Sequence, residues 1–314
     1  MADRVELVEV SPRDGLQNEK AILDAATKIE LIARARRAGL RRIEATSFVN
    51  PKKVPQMADA DAVYAGAARA EVSGLSVLAL NLRGVERALA AGVHEINYVF
   101  VASDAFSIRN NGAPTADTLT IWPEVVEVAR RHGAQVGAVI GASFGCPFEG
   151  EVPEGRLAGI AERLAATPPD ELTLADTIGV GVPCEVKARF KLVGEVMGRG
   201  VRLRAHFHNT RNTGVANALA AYEIGVKVLD ASLGGIGGCP FAPNAAGNVA
   251  TEDLGYLFER MGVATGLDLD ATIDAARWIA GQIDRPATGM VSRAGGFPKP
   301  KTDEPTLKIA RDIK

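Results

Sequence analysis

Short apolar, β-branched runs alternate eight times with longer stretches rich in Ala, Leu, Arg and Glu at helical spacing, and this alternation restricts the fold more than any other feature. The runs lie near Val5 to Val10, Arg41 to Thr46, Leu75 to Ala79, Glu95 to Val101, Gln135 to Ala142, Glu171 to Leu174, Arg202 to His206 and Val226 to Ser232. Helices are predicted around 24–38, 57–69, 84–91, 116–132, 154–166, 184–197, 213–224 and 251–262, several stopped by a glycine such as Gly39, Gly92, Gly133 or Gly225. Strand followed by helix, repeated, is the pattern of parallel βα units. Eight such units in roughly 260 residues match the length of a TIM barrel, whereas an open doubly wound sheet usually holds fewer strands. The expected fold is therefore an α/β TIM (β/α)8 barrel with one extra helix over 268–284. That gives a catalytic domain over 1–285 and a Gly-, Pro- and Lys-rich tail over 286–314.

Charge and cysteine content narrow the function classes. Lys plus Arg number 36 against 38 Asp plus Glu, a net charge of -2, which offers no general attraction to nucleic acid or an anionic membrane. No apolar run approaches the ~20 residues of a membrane span, and the start lacks the apolar segment of a secretory signal, so a cytoplasmic protein is expected. Cys146, Cys184 and Cys239 form no CxxC pair, which argues against a disulfide framework or a four-thiolate zinc site. A Rossmann fingerprint or P-loop in its strand-to-helix context is also missing.

If the barrel is right, chemistry belongs just past the carboxyl ends of the strands. His206 and His208 end the seventh strand two residues apart, so their imidazoles share a face, as a divalent metal or a catalytic site would need. The first strand leads to Arg13 and Asp14, the second to Glu44 and Ser47, and the sixth to Asp176. Taken singly, Asp14 could cap a turn, Glu44 could pair with Arg13, and Asp176 could cap the next element. After the eighth strand, a loop over 234–248 is dense in glycine and carries Cys239, a lone thiol that is either a reactive group on a lid or a passively buried side chain. Cys146 raises the same pair of readings after the fifth strand.

The segments Val8 to Glu19, Ile43 to Val49, Val54 to Met57, Gly145 to Gly150, Asp176 to Gly181, the two histidines, Gly237 to Phe241 and Gly247 to Asp253 together resemble the 3-hydroxy-3-methylglutaryl-CoA lyase family. They run in order from about residue 5 to 262. The resemblance implies a divalent cation, Mg2+ or Mn2+, held by Asp14, His206, His208 and Asn248. It further implies catalytic roles for Arg13 at the thioester carbonyl, Cys239 in proton transfer, and His206, Asp176 and Glu44 around the reacting atoms. Gln17, Ser47, Asn209 and Arg211 join Arg13 as expected substrate contacts. The implied reaction is retro-aldol cleavage of 3-hydroxy-3-methylglutaryl-CoA to acetyl-CoA and acetoacetate by a homodimer or higher oligomer. A related 3-hydroxy-3-alkyl-acyl-CoA, a pyruvate-linked metal aldolase and a non-catalytic acyl-CoA-binding barrel are the alternatives. One stretch departs from the family: Asn209-Thr210-Arg211-Asn212-Thr213 stands where the familiar lyases carry Asp-Thr-Tyr-Gly-Gln, which exchanges an acid for an amide and brings in a cation.

Overall fold

In a computed structural model that describes residues 3–70, 74–238 and 247–298, the eight strands close into a parallel barrel in chain order. They are β1 (Glu6–Glu9), β2 (Arg42–Ser47), β3 (Leu75–Ala79), β4 (Glu95–Val101), β5 (Gln135–Gly141), β6 (Glu171–Asp176), β7 (Arg202–Phe207) and β8 (Val228–Ala231). Strand β8 pairs with β1 from Glu6 opposite Val228 to Glu9 opposite Ala231, and this pairing closes the ring. Buried Glu9 reinforces the closure by accepting hydrogen bonds from the Ser11 and Leu233 amides and the Thr251 hydroxyl. None of the described helices is long and apolar enough to cross a membrane.

The helices follow as α1 (Ala25–Arg37), α2 (Ala60–Arg69), α3 (Leu82–Ala90), α4 (Asp104–Asn111), α5 (Thr115–Thr120), α6 (Trp122–Arg131), α7 (Glu154–Ala165), α8 (Pro183–Met197), α9 (Gly214–Glu223), α10 (Thr251–Arg260), α11 (Leu269–Gln282) and α12 (Met290–Ala294). The single helix expected over 116–132 is two, α5 and α6, parted at Ile121. Pro123 explains the break, because proline removes one helical donor and its ring crowds the carbonyl four residues earlier. Helix α4 has no counterpart among the predicted helices; its polar composition gives it almost no apolar stripe.

Apolar side chains fill the layer between barrel and helices, while the barrel interior is largely ionic. Val8, Val10 and Val228 form a small separate cluster, and a chain of charges runs past them. Arg42 grips Glu171 through two hydrogen bonds of 2.7 and 3.0 Å and reaches Glu95 at 2.5 Å. Arg204 bridges from Glu171, at 3.4 Å, to Asp230, at 2.5 Å. Each charge is paired, which is the condition under which burial is tolerated. The chain of pairs begins at strand starts and ends below the carboxyl-end face.

Beyond α11, residues 285–294 lie against that face. Arg285 pairs with Glu19 at 2.6 Å, the Thr288 amide donates to the Gly234 carbonyl at 2.8 Å, and the Asp253 carboxylate receives the Met290 and Val291 amides. Glu252 lies beneath this strap, fully buried, with one oxygen on the Gly234 amide at 3.1 Å. Burial pushes its carboxyl up to about 7 from an ordinary 4.5. The folded chain therefore holds a proton that the unfolded chain releases between those values, so this group costs stability as pH rises through that window, about 3 kcal/mol in all. Glu252→Gln removes the titration. Urea unfolding at pH 5 and pH 8 should show the variant gaining on the parent by about 1–3 kcal/mol at the higher pH; a gap independent of pH would contradict the assignment.

Candidate active site

Strand β7 sends Leu203, Ala205 and Phe207 into the outer apolar layer, and the alternation turns Arg204 and His206 into the barrel. His208 keeps that side one residue past the strand end. A short antiparallel bridge sets His208 beside Asn248, with the Asn209 amide donating to the Gly247 carbonyl and the Val249 amide to the Phe207 carbonyl. From the other edge, β1 ends in a wide turn over Ser11–Gly15, closed by the Gly15 amide on the Val10 carbonyl, and this turn projects Arg13 and Asp14 into the mouth.

Three of the four residues expected to hold a cation, Asp14, His206 and His208, place ligand atoms within 4.8 Å of one another. The Asp14 Oδ2 lies 3.9 Å from His206 Nε2 and 3.7 Å from His208 Nε2. Asn248 completes the group, its Nδ2 donating to that same oxygen at 2.8 Å. The donor set suits a cation. The Asn248 Oδ1 is buried with no hydrogen-bond partner among the described residues, as an atom waiting for a ligand would be, and mixed carboxylate, amide and imidazole donors suit a hard or borderline divalent ion.

Electrostatics agree with that reading. Burial pushes the Asp14 carboxyl up, but Arg13 and the two imidazoles outweigh it and hold the carboxyl well below the usual carboxylate range. Burial, helped by the neighbouring His206, lowers His208 to about 4, so it is neutral near pH 7, the form a metal ligand requires. Burial also opposes charge on His206, yet its hydrogen bond to Asp230 and the Asp14 charge raise its pKa.

Arg13 sits on the rim of this cluster. Its Nε donates to Glu44 and its Nη1 to Asp14 Oδ1 at 2.6 Å, which leaves Nη2 without a hydrogen bond among the described residues. Glu44 is held from behind by Asn97, whose Nδ2 donates to Oε2 at 2.7 Å. Gly237, with φ of 102°, carries the glycine-rich loop against the cluster. A Cβ there would come within 2.6 Å of Asn248 Nδ2 and 2.8 Å of the Asp14 carbonyl, so only glycine permits that approach. The Asn18 side chain donates to the Gly238 carbonyl and ties the first loop to the same segment.

The remaining expected site residues divide. Asp176, ending β6 and completely buried, accepts from the Val180 and Gly181 amides at 3.0 and 2.9 Å, and its burial raises its pKa. The Ser47 hydroxyl donates to Gln17 at 3.2 Å, linking the β1 and β2 loops. Asn209 and Arg211 do not join the cation cluster. Asn209 accepts the Gly214 amide at the start of α9, and exposed Arg211 donates to the Ile178 and Gly179 carbonyls, stitching the β7 loop to the β6 loop. Cys239 lies outside the described residues. Cys146 is buried, its sulfur 2.9 Å from the Ser103 hydroxyl. Sequence reading missed Asp230, 2.9 Å from His206 Nδ1, as well as Asn97 and Glu9. The available signal was strand parity, since each is a polar residue inside a buried run.

A TIM barrel with a carboxylate, two imidazoles and an amide gathered at its mouth beside a buried guanidinium has the architecture of a metal-dependent carbon–carbon lyase. Comparison with known proteins identifies the family. The HMGL-like family model matches residues 4–279. An (R)-citramalyl-CoA lyase of Chloroflexus aurantiacus is 44% identical over 303 residues, spanning 93% of this chain and 95% of that protein. A mitochondrial hydroxymethylglutaryl-CoA lyase of Gallus gallus is 39% identical over 291 residues, 93% of this chain and 97% of that one. The structure of an HMG-CoA lyase from Acinetobacter baumannii, in complex with coenzyme A and 3-methylmalate, superposes with a TM-score of 0.89 at 38% identity, covering 95% and 98% of the two chains. The chain belongs to the HMGL-like family and is a carbon–carbon lyase.

Proposed function

We propose that this protein cleaves a 3-hydroxy-3-methyl dicarboxylic acyl-CoA into acetyl-CoA and an oxo acid, with Asp14, His206, His208 and Asn248 holding Mg2+ or Mn2+. The observation that carries the reading is the convergence of these four side chains beside Arg13. A bound dication would supply Lewis acidity, lowering the pKa of a substrate hydroxyl. Asp176 is the proposed acceptor of that hydroxyl proton: its burial makes it more basic than a free aspartate, and His206 Nε2 is turned toward Asp14. As the carbon–carbon bond breaks, its electron pair becomes the enolate of the departing acetyl thioester. Arg13 stabilises that enolate through its free Nη2. The proposed donor of the final carbon-bound proton is Cys239.

Two substrates fit this chemistry. 3-Hydroxy-3-methylglutaryl-CoA would give acetoacetate, and (R)-citramalyl-CoA, one methylene shorter, would give pyruvate. We favour (R)-citramalyl-CoA, supported by the 44% identity to the Chloroflexus enzyme and by the departure from the familiar lyase pattern at 209–213. One methylene is worth about 1–3 kcal/mol to a shaped pocket, so the preferred substrate should lead the other by roughly 10–200-fold in kcat/KM. The test is acetyl-CoA release from both thioesters before and after chelation. Activity should vanish with chelator and return with Mg2+ or Mn2+. Cleavage that persists without any divalent ion would remove the proposed mechanism, and a lead for 3-hydroxy-3-methylglutaryl-CoA would reverse the substrate choice.

A further inference from the structure

The two histidines of the cluster are held unequally. His208 Nδ1 is buried with no hydrogen-bond partner among the described residues, so none of them fixes which of its nitrogens carries the proton. His206 Nδ1 lies 2.9 Å from Asp230 Oδ2, while the other Asp230 oxygen accepts from Arg204 Nε at 2.5 Å. All three side chains are buried, and Arg204 is itself anchored on Glu171. Asp230 thus has one oxygen for each neighbour and cannot turn away from either.

We propose that Asp230 is a positioning residue: held by Arg204, it locks His206 as the Nδ1–H tautomer and presents the bare Nε2 lone pair toward Asp14 and the cation. A carboxylate behind a metal-binding imidazole sets the ring's tautomer and orientation and raises its basicity. Because the charge reaches Asp230 through Arg204 from Glu171, the ionic interior of the barrel acts as the rigid mount of one metal ligand. His206 becomes the preset ligand, and His208 adapts when the ion arrives. This inference rests on the metal role proposed above for His206.

Asp230→Asn separates this role from mere packing. Arg204 still demands an acceptor, so the new amide must give its oxygen to Arg204 and turn its NH2 toward His206 Nδ1. That nitrogen must then accept, and the proton moves to Nε2, onto the lone pair the cation needs. Nitrogen-15 NMR of the metal-free full chain reads the tautomer directly; the sequence contains only four histidines, and an H206Q spectrum assigns the relevant one. At alkaline pH the parent should show His206 protonated at Nδ1 and D230N should show it protonated at Nε2. Mn2+ affinity, measured by calorimetry, should fall about 10–100-fold in D230N and recover in part in D230E. An Nε2–H tautomer in the parent overturns the proposal, even if D230N does not fold. So does a D230N chain that keeps Nδ1–H, or one whose Mn2+ affinity stays within twofold of the parent. The tautomer is read without metal or substrate, so it stands or falls separately from whether the chain cleaves an acyl-CoA.

Discussion

Asp14→Asn is expected to weaken Mn2+ binding by more than about 100-fold and to lower acetyl-CoA release by at least ~10³-fold, with the barrel intact. Losing a residue that only supports a metal ligand costs roughly 10–100-fold in affinity, and Asp14 is the one carboxylate in the proposed ligand set, so its loss should exceed that range. The substitution preserves shape and removes charge. The new amide could still face Arg13 and Asn248, which Asp14 now meets at 2.6 and 2.8 Å, but it would leave Arg13 balanced by Glu44 alone. A metal-bound Lewis acid contributes several kcal/mol to such a transition state, and each 1.36 kcal/mol is tenfold in rate, which sets the size of the kinetic loss. Calorimetric Mn2+ titration and a coupled acetyl-CoA assay on the same preparation check both numbers. An unchanged Mn2+ affinity would mean that the ion, if bound, sits elsewhere.

Asp14 was legible in the sequence because a polar residue just past an apolar run marks the barrel's open face; the same logic exposed His206, His208 and Glu44. The fold was legible for a related reason: parallel strands buried on both sides read as apolar runs, and helices between them keep their own period. What stayed hidden depends on closure. Asp230 belongs with His206 and Arg204 because β7 and β8 lie side by side with Ala205 opposite Leu229, a register that no sequence separation reveals. Glu171 and Arg42 meet across the barrel interior from strands β6 and β2, which are not neighbours in the sheet. Parity alone could have raised the alarm, since Asn97, Arg204 and Asp230 are each a buried polar residue inside a strand. For Asn209 and Arg211 the hidden part was the local bonding: Asn209 accepts the amide at the start of α9 and Arg211 donates to the β6 loop carbonyls, pairings that residue type alone does not reveal.

Arg13→Lys carries the second large effect, and it should separate turnover from metal binding. The guanidinium divides its donors three ways: Nε to Glu44, Nη1 to Asp14, and Nη2 left over. Burial opposes its charge, but Glu44 and Asp14 outweigh that and hold its pKa above the ordinary arginine value, so it is a permanent cation in the site. A lysine ammonium could replace one or two of these contacts but not a planar fork that serves two carboxylates and a third oxygen at once. The lost contact is the one that matters only when negative charge develops on the enolate, so it should appear in kcat and hardly in KM. Removing one such donor typically costs about 10²–10³ in kcat, and the expected loss here lies in that range or above it. Mn2+ affinity should change less than about tenfold, because every proposed ligand remains and the substituted ammonium can still neutralise Asp14. Equal losses in Mn2+ affinity and kcat would reduce Arg13 to a prop for Asp14, whereas turnover within tenfold of the parent would take the guanidinium out of enolate stabilisation altogether.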